Sequence, residues 1–241
     1  MATAEDKVLD LWKEEWENSG FDTIVLTLDD AKKHPDFTKV EKIMIPLHGS
    51  RGYNALCFYR WLAMAASGGG WMSDHDTFPT NFPMNMGLNL PNGGKFISFQ
   101  SHVPALMSGT AEEWDRVSKL IINAIPRIQK LPRAEEHIVS DMHAFYVLHL
   151  ENNDSIVFVP FDMYVQEGYL YDSPHQVNCE AMSVGSAVHL SHALTHQAII
   201  DGVYPIAVTE DDPGGKESRA EGSKIFLDDW RSQCSDKFNR S

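Results

Sequence analysis

The residues of this chain best suited to bind a metal ion are the two carboxylates of Asp74-His75-Asp76. Carboxylates two positions apart can converge on one point when a strand ends and the backbone turns. Mg²⁺ and Mn²⁺ prefer oxygen ligands and often take substrate phosphates as further ligands. The triplet therefore indicates a metal–diphosphate site, and a solvated turn with helix-capping aspartates remains open as the alternative.

A second group of possible ligands is the segment AVHLSHALTH, which contains His189, His192 and His196. His189 should end a strand, whereas His192 and His196 are four residues apart and share a helical face. Three histidines and a water could form a zinc site. The familiar helical zinc signature, however, carries a glutamate after its first histidine, and this segment has none. A polar helical face is the simpler interpretation of His192 and His196.

The elements that must position the triplet lie directly before it. Residues 53–66 are apolar nearly all round, which predicts a buried helix. Arg60 interrupts this helix, and because an unpaired buried charge is costly, it needs a partner; a carboxylate near the triplet is the natural one. The run Gly68-Gly69-Gly70 breaks the helix, and residues 71–74 read as a short buried strand that ends in the triplet.

The remaining chain alternates strand and helix patterns, which predicts an α/β fold with a three-layer arrangement. Ligands of such sheets sit at the carboxyl ends of strands, where Asp74 and Asp76 lie. The other predicted strands are 21–28, 42–46, 95–100, 155–160 and 186–190. The other predicted helices are 5–18, 110–125, 140–150, the segment after 190, and 224–238.

Asp141 is a further candidate for chemistry, because it follows Ser140 at the start of a predicted helix. On the acceptor side of a transfer reaction it could act as the general base. A carboxylate favoured by the helix dipole explains the residue equally well.

Composition excludes some classes of function. The chain has 241 residues, a net charge of −14 and a pI of about 5.1. Such a surface repels nucleic acids and anionic membranes, and an anionic substrate would need a bound cation or local basic residues. The three cysteines, Cys57, Cys179 and Cys234, suggest no disulfide framework and a reducing compartment. Neither a signal peptide nor a membrane span is seen, so a soluble protein, cytoplasmic or otherwise, is expected.

The segment CFYRWLAMAASGGGWMSDHDTFP resembles the DxD sugar-binding region of GT-A-fold glycosyltransferases, such as the yeast-type mannosyltransferases and the glucosylating toxins. Those families place an arginine on a helix, then glycine, glycine and an aromatic residue, then the DxD pair and a proline. Arg60, Gly69-Gly70-Trp71, Asp74 and Asp76 match these positions. The close match covers residues 54–79, and a looser match in the order of elements runs from residue 5 to about 200.

The resemblance implies a three-layer α/β/α fold with a mixed central sheet and a role for each matching residue. Asp76 would bind Mn²⁺ or Mg²⁺ directly, Asp74 would contact the ribose or sugar of the donor, and Arg60 would orient the donor sugar or a DxD carboxylate. Gly69, Gly70 and Trp71 would belong to the nucleotide-sugar site, although Trp71 suits a core position better. Similar enzymes place a late histidine on the metal or diphosphate, a role that falls to His189.

The resulting hypothesis is a metal-dependent glycosyltransferase that moves a sugar from a nucleotide-diphosphate donor to a glycan or other hydroxyl acceptor. Its domain would span residues 1–208, and residues 209–241 would form a mobile acidic loop and a helix. Cys57 replaces the family's sugar-contacting aspartate, and the family's first strand is not present before the first helix. A non-catalytic nucleotide- or sugar-binding module of the same fold is therefore the alternative.

Overall fold

The computed structural model describes residues 3–49, 52–128, 130–131, 138–151 and 154–238, with side chains described up to residue 234. The chain is a mixed α/β protein, as the alternation of patterns predicts. It divides into two compact units. The terminal unit comprises Met1–Thr23, Asp74–Met84 and Phe161–Ser241, and the central unit comprises Ile24–Ser73 and Asn85–Pro160.

Among the described residues, the central unit combines helices with a four-stranded sheet. The spatial order of its strands is β1 (Gly69–Ser73), β4 (Leu106–Thr110), β3 (Ile97–Ser98) and β5 (Val157–Phe158). The sheet is mixed, because β4 pairs antiparallel with β1 and β3, whereas β3 and β5 are parallel. The helices are α2 (Leu28–Ala31), α3 (Phe37–His48), α4 (Tyr53–Ala66), α6 (Ala111–Ile128) and α7 (Asp141–Leu150). The short helix α5 (Met84–Leu88) and a 3₁₀ turn (Pro91–Gly94) precede β3.

Helix α4 is the centre of the core of the central unit, as its all-round apolar sequence predicts. Phe58, Tyr59, Trp61 and Leu62 are all buried. The Trp61 ring lies 5.4 Å from the ring of Trp114 on α6. The helix stops where the glycine run begins, and the strand that follows agrees with the predicted strand to within two residues.

Two predicted strands are wrong. Residues 42–46 belong to α3, whose buried Phe37, Val40 and Met44 follow the helical period. Residues 21–27 form no strand, and Ile24 is 75% exposed, so this segment has no continuous buried face. The chain then turns into α2, because the Asp30 carboxylate accepts hydrogen bonds from the backbone N–H and the hydroxyl of Thr27.

The terminal unit holds a three-stranded sheet, whose spatial order is β2 (Thr77–Pro79), β9 (Ala187–His189) and β6 (Val165–Glu167). Strand β9 pairs antiparallel with β2 and parallel with β6. A separate pair consists of β7 (Tyr171–Ser173) and β8 (Gln176–Val177). Its helices are α1 (Ala4–Asn18), α8 (Cys179–Val184), α9 (His192–Ile200) and α10 (Arg219–Phe238). No described helix in either unit has the length and apolar character that a membrane span requires.

A disulfide bond joins Cys179 at the start of α8 to Cys234 on α10, with 5.4 Å between their Cα atoms. The prediction that the cysteines form no disulfide is therefore wrong, and the inference of a reducing compartment loses its basis. The two cysteines are 55 positions apart, and only the packing of α8 against α10 brings them within bonding distance.

Candidate metal centre

The Asp74-His75-Asp76 triplet forms the tight turn that follows β1 and precedes β2. Strand β1 ends at Ser73 and β2 begins at Thr77. The backbone N–H of Thr77 donates a hydrogen bond of 3.0 Å to the carbonyl oxygen of Asp74, which closes the turn. The predicted arrangement, in which a strand ends and two carboxylates follow on a turning backbone, is present.

Strand pairing brings His189 to the same turn. In the register of β2 with β9, His189 lies opposite Thr77, and the N–H of Leu190 donates to the carbonyl oxygen of Asp76. The His189 Nε2 lies 3.4 Å from Asp76 Oδ1. One potential ligand atom from each of Asp74, Asp76 and His189 lies within 4.8 Å of the others. These three residues, here called the DxD–His cluster, are the three metal ligands predicted from the sequence.

The DxD–His cluster holds charge in a buried place. Asp76 and His189 are both 8% exposed. Burial raises the pKa of Asp76, but the hydrogen bond and charge of His189, with His75 and Arg219, outweigh it and leave this pKa well below its usual value. Burial lowers the pKa of His189, but Asp76 outweighs it, with help from Asp74 and Glu167, and the pKa is raised. Each residue therefore favours the charged form of the other.

Arg219 is a further charged residue at the cluster, and the sequence analysis missed it. Its side chain is only 4% exposed, and its Nη1 lies 3.7 Å from Asp76 Oδ2. Its Nη2 donates a hydrogen bond of 2.8 Å to Glu5 Oε2 and lies 3.3 Å from His75 Nε2. His75 itself lies 2.8 Å from the same Glu5 oxygen. The middle residue of the triplet therefore takes part in a network around Asp76.

Apolar periodicity alone could not have placed Arg219, because Arg219 and Ser223, which begin the buried face of α10, are polar. Buried positions on this helix recur at helical spacing from Arg219 and Ser223 to Phe226, Leu227 and Trp230. Helix α10 begins at Arg219, within the predicted loop of residues 209–223 and before the predicted helix start at residue 224. Before it, the Asp212 carboxylate accepts backbone N–H groups of the chain leading into the helix.

Arg60 and Asp141, two predicted catalytic residues, meet each other in the central unit. Arg60 Nη2 and Nε donate to Asp141 Oδ2 at 2.7 and 3.0 Å, and Trp61 Nε1 donates to the same oxygen at 2.9 Å. The other oxygen, Oδ1, accepts the backbone N–H of Met142 at 2.8 Å. Asp141 is 3% exposed. These bonds favour the structural interpretation of the pair, and the roles in catalysis stay predictions.

Gly69, Gly70 and Trp71, predicted to bind the cofactor, are used by β1 in its packing. Gly69 has φ +73°, and a Cβ there would lie 2.4 Å from the backbone nitrogen of Ala111, so only glycine fits. The Gly70 carbonyl oxygen accepts a hydrogen bond of 3.2 Å from Trp114 Nε1. Trp71 stacks on Phe99 with 4.9 Å between ring centroids. Their contribution to a nucleotide-sugar site stays a prediction.

The zinc alternative built on three histidines gains no support. His192 and His196 are exposed on α9, whereas His189 is buried in β9. Among the described residues, the side chains grouped with His189 in ligand range are the two aspartates. Two carboxylates and one imidazole form a mixed donor set, because carboxylates favour hard cations and imidazole favours transition metals.

A second group of metal-like composition, His34, Asp36 and Asp115, lies in the central unit and is here called the His34 cluster. Its potential ligand atoms also lie within 4.8 Å of one another. The N–H of Asp36 donates to His34 Nδ1, so the proton of the neutral ring is on Nε2, 3.2 Å from Asp115 Oδ1. Lys119 Nζ lies 2.7 Å from the other Asp115 oxygen. Groups of the chain itself therefore already contact both ring nitrogens of His34 and both carboxylate oxygens of Asp115.

The fold and the geometry of the DxD–His cluster define a mixed α/β protein with a potential metal centre. The chain belongs to the family described as Domain of unknown function (DUF8765), whose model matches residues 1–169. This match contains Asp74 and Asp76 and ends before His189 and Arg219. Comparisons with curated proteins and with solved structures yield no match.

Proposed function

We propose that this protein is a Mn²⁺-dependent glycosyltransferase of GT-A-like fold, which transfers a sugar from a nucleotide-diphosphate donor to a hydroxyl acceptor. The observation that carries the proposal is the convergence of His189, from a strand more than a hundred positions later, on the Asp74 and Asp76 carboxylates. The resemblance of residues 54–79 to the DxD region independently indicates the same centre.

The donor set fits such an ion. Asp74 is partly exposed, whereas Asp76 and His189 are buried, so a ligand could approach from the side of Asp74. Three protein ligands leave further coordination positions for phosphate oxygens and water. A divalent cation bound there would offset the negative charge that develops on a leaving diphosphate. A metal-bound His189 ring must be neutral, so metal binding competes with the proton that Asp76 favours on this ring.

The protein side chains would act mainly by orientation. The turn hydrogen bond of Thr77 and the β2–β9 register hold Asp76 and His189 in place before a ligand arrives. Groups that are already oriented lose little freedom on binding, and preorganised charge is often the largest contribution to catalysis.

One observation favours the non-catalytic binding module as the second candidate. Both oxygens of Asp141, the predicted general base, already accept hydrogen bonds within the central unit. A general base must come within hydrogen-bond reach of the acceptor hydroxyl, and Asp141 is only 3% exposed. Cys57, at the position of the family's sugar-contacting aspartate, points in the same direction.

The test is a titration of the protein with Mn²⁺, followed by electron paramagnetic resonance of the free ion, and then an assay of transfer from UDP- and GDP-sugars. Asp76→Ala should weaken Mn²⁺ binding by more than about 100-fold, beyond what loss of a group that only orients a ligand costs, and abolish transfer. Asp115→Ala, which removes a carboxylate from the His34 cluster, is the matched control and should change neither.

The outcomes separate the candidates. Mn²⁺-dependent nucleotide binding with turnover supports the transferase, and the same binding without turnover for any donor supports the module. Equal Mn²⁺ affinity of Asp76→Ala and the wild-type protein would contradict both candidate functions. Full transfer activity in excess chelator would contradict them as well.

A further inference from the structure

Arg219 is an unusual charged residue of the terminal unit. It is 3% exposed, although arginine is rarely buried without partners, and it faces two carboxylates, those of Glu5 and Asp76. Its Nε has no hydrogen-bond partner among the described residues, so the chain does not satisfy the whole guanidinium. A buried donor of this kind calls for an explanation.

The position of Arg219 conflicts with simple cation binding. Its guanidinium lies 3.7 Å from Asp76 Oδ2, while the opposite oxygen of Asp76 faces His189. A divalent cation held by Asp74, Asp76 and His189 would therefore sit close to a fixed positive charge. Like charges at such distances repel by several times the thermal energy when water is largely excluded. A site evolved for a bare cation would be better without this arginine.

The charge balance changes when an anion accompanies the metal. With the His189 ring neutral, as a metal ligand must be, Asp74, Asp76 and Arg219 together carry one negative charge, and a divalent cation converts this to one positive charge. Glu5 lowers the sum further, but its side chain is 49% exposed, so water screens it. A diphosphate bound to the metal would offset this positive charge, and Arg219 would attract it.

We infer that Arg219 is a specificity-determining residue, which makes the DxD–His cluster favour a divalent cation together with an anionic diphosphate over the cation alone. This inference rests on the proposed function, since it assumes that Asp76 binds the metal. A purely structural arginine would neutralise Asp76 and Glu5 in the fold and would have no effect on the coupling between metal and anion.

The experiment measures that coupling. The Mn²⁺ dissociation constant is determined with and without UDP, and the ratio of the two values is the coupling factor, which must equal the factor by which Mn²⁺ improves UDP binding. Arg219→Gln should bind Mn²⁺ alone several-fold more tightly than the wild-type protein, because a nearby positive charge is removed. Its coupling factor should fall by roughly tenfold, as expected for loss of one close charge at a partly screened site.

Two further variants keep the test decisive if Arg219→Gln does not fold. Arg219→Lys retains the charge and should keep the coupling factor within about threefold of wild type, a modest cost for replacing the planar fork with a point charge. Glu5→Gln removes the exposed partner and should act in the opposite direction, with weaker binding of Mn²⁺ alone and an equal or larger coupling factor.

Distinct results overturn the inference and the proposed function. If Asp76→Ala weakens Mn²⁺ binding but Arg219→Gln leaves the affinity for Mn²⁺ and the coupling factor unchanged, Arg219 is only structural. Tighter Mn²⁺ binding by Glu5→Gln would contradict the inference in the same way. If Asp76→Ala does not weaken Mn²⁺ binding, the metal centre itself fails and the inference falls with it.

Discussion

The DxD–His cluster and the His34 cluster have the same composition, one histidine and two aspartates with ligand atoms within 4.8 Å. They differ in the groups that already contact their potential ligand nitrogen and oxygen atoms. In the His34 cluster, one ring nitrogen of His34 accepts the Asp36 N–H, which places the proton on the nitrogen that faces Asp115. Lys119 contacts Asp115 from the other side. A metal would have to displace both a proton and an ammonium group.

In the DxD–His cluster, the charged side chain of Asp76 lies between two cationic groups, His189 and Arg219. His189 faces Asp76 at 3.4 Å, and Arg219 faces the other oxygen at 3.7 Å, both longer than a strong charged hydrogen bond. Asp76 is thus close to two cationic side chains, and neither contact is as short as the 2.7 Å between Lys119 and Asp115 in the His34 cluster. Proximity of ligand types alone does not define a metal site; the protonation and bonding of each ligand atom decide it.

The largest expected difference between the clusters is in metal affinity. His189→Ala removes one of three ligands and should weaken Mn²⁺ binding by about 100-fold, at or beyond the upper end for groups that only orient a ligand. His34→Ala should leave Mn²⁺ affinity unchanged within about twofold, because its ring offers no lone pair to an ion. Calorimetric titration with Mn²⁺ measures both. A comparable loss in His34→Ala would show that the second cluster is the metal site.

The sequence predicted those parts of the DxD–His cluster that depend on local order. The apolar run of α4, the glycine break and the strand before the triplet are contiguous, so each residue's neighbours in the chain are its neighbours in space. Placing His189 beside Asp76 needed the family resemblance, because the β2–β9 register joins segments that are more than a hundred residues apart. Periodicity alone carries no information about such a pairing.

The parts that the sequence did not predict depend on tertiary packing. The Cys179–Cys234 bond and the Arg219–Asp76 contact both require α10 to lie beside distant segments of the terminal unit. The segment 42–46 looked like a strand because it is short and apolar, but residues before and after it complete a helical period. The His34 cluster was missed because its members are separated by up to 81 positions and match no motif.

A smaller difference between the clusters should appear in the free energy of unfolding. His34→Ala should lower it by about 1–3 kcal/mol, because the buried ring no longer satisfies the N–H of Asp36 or Asp115. This loss should be the same with and without Mn²⁺. The deficit of His189→Ala should instead grow on addition of Mn²⁺, since the wild-type protein gains about 2.7 kcal/mol at a hundredfold excess over the dissociation constant. Urea denaturation with and without the ion measures both variants, and a Mn²⁺-dependent deficit in His34→Ala would reverse the assignment.

The smallest effect concerns Lys119, and it shows which feature keeps the His34 cluster from binding metal. Lys119→Gln removes a half-exposed ammonium that contacts Asp115 and lies 3.8 Å from Asp36. An exposed pair of this kind contributes about 0–1 kcal/mol, so the unfolding free energy should change little. Because the N–H of Asp36 still fixes the His34 ring, Lys119→Gln should gain no second Mn²⁺ site in a calorimetric titration. A second site in this variant would show that the lysine charge, and not the hydrogen bond from the Asp36 N–H to His34, distinguishes the two clusters.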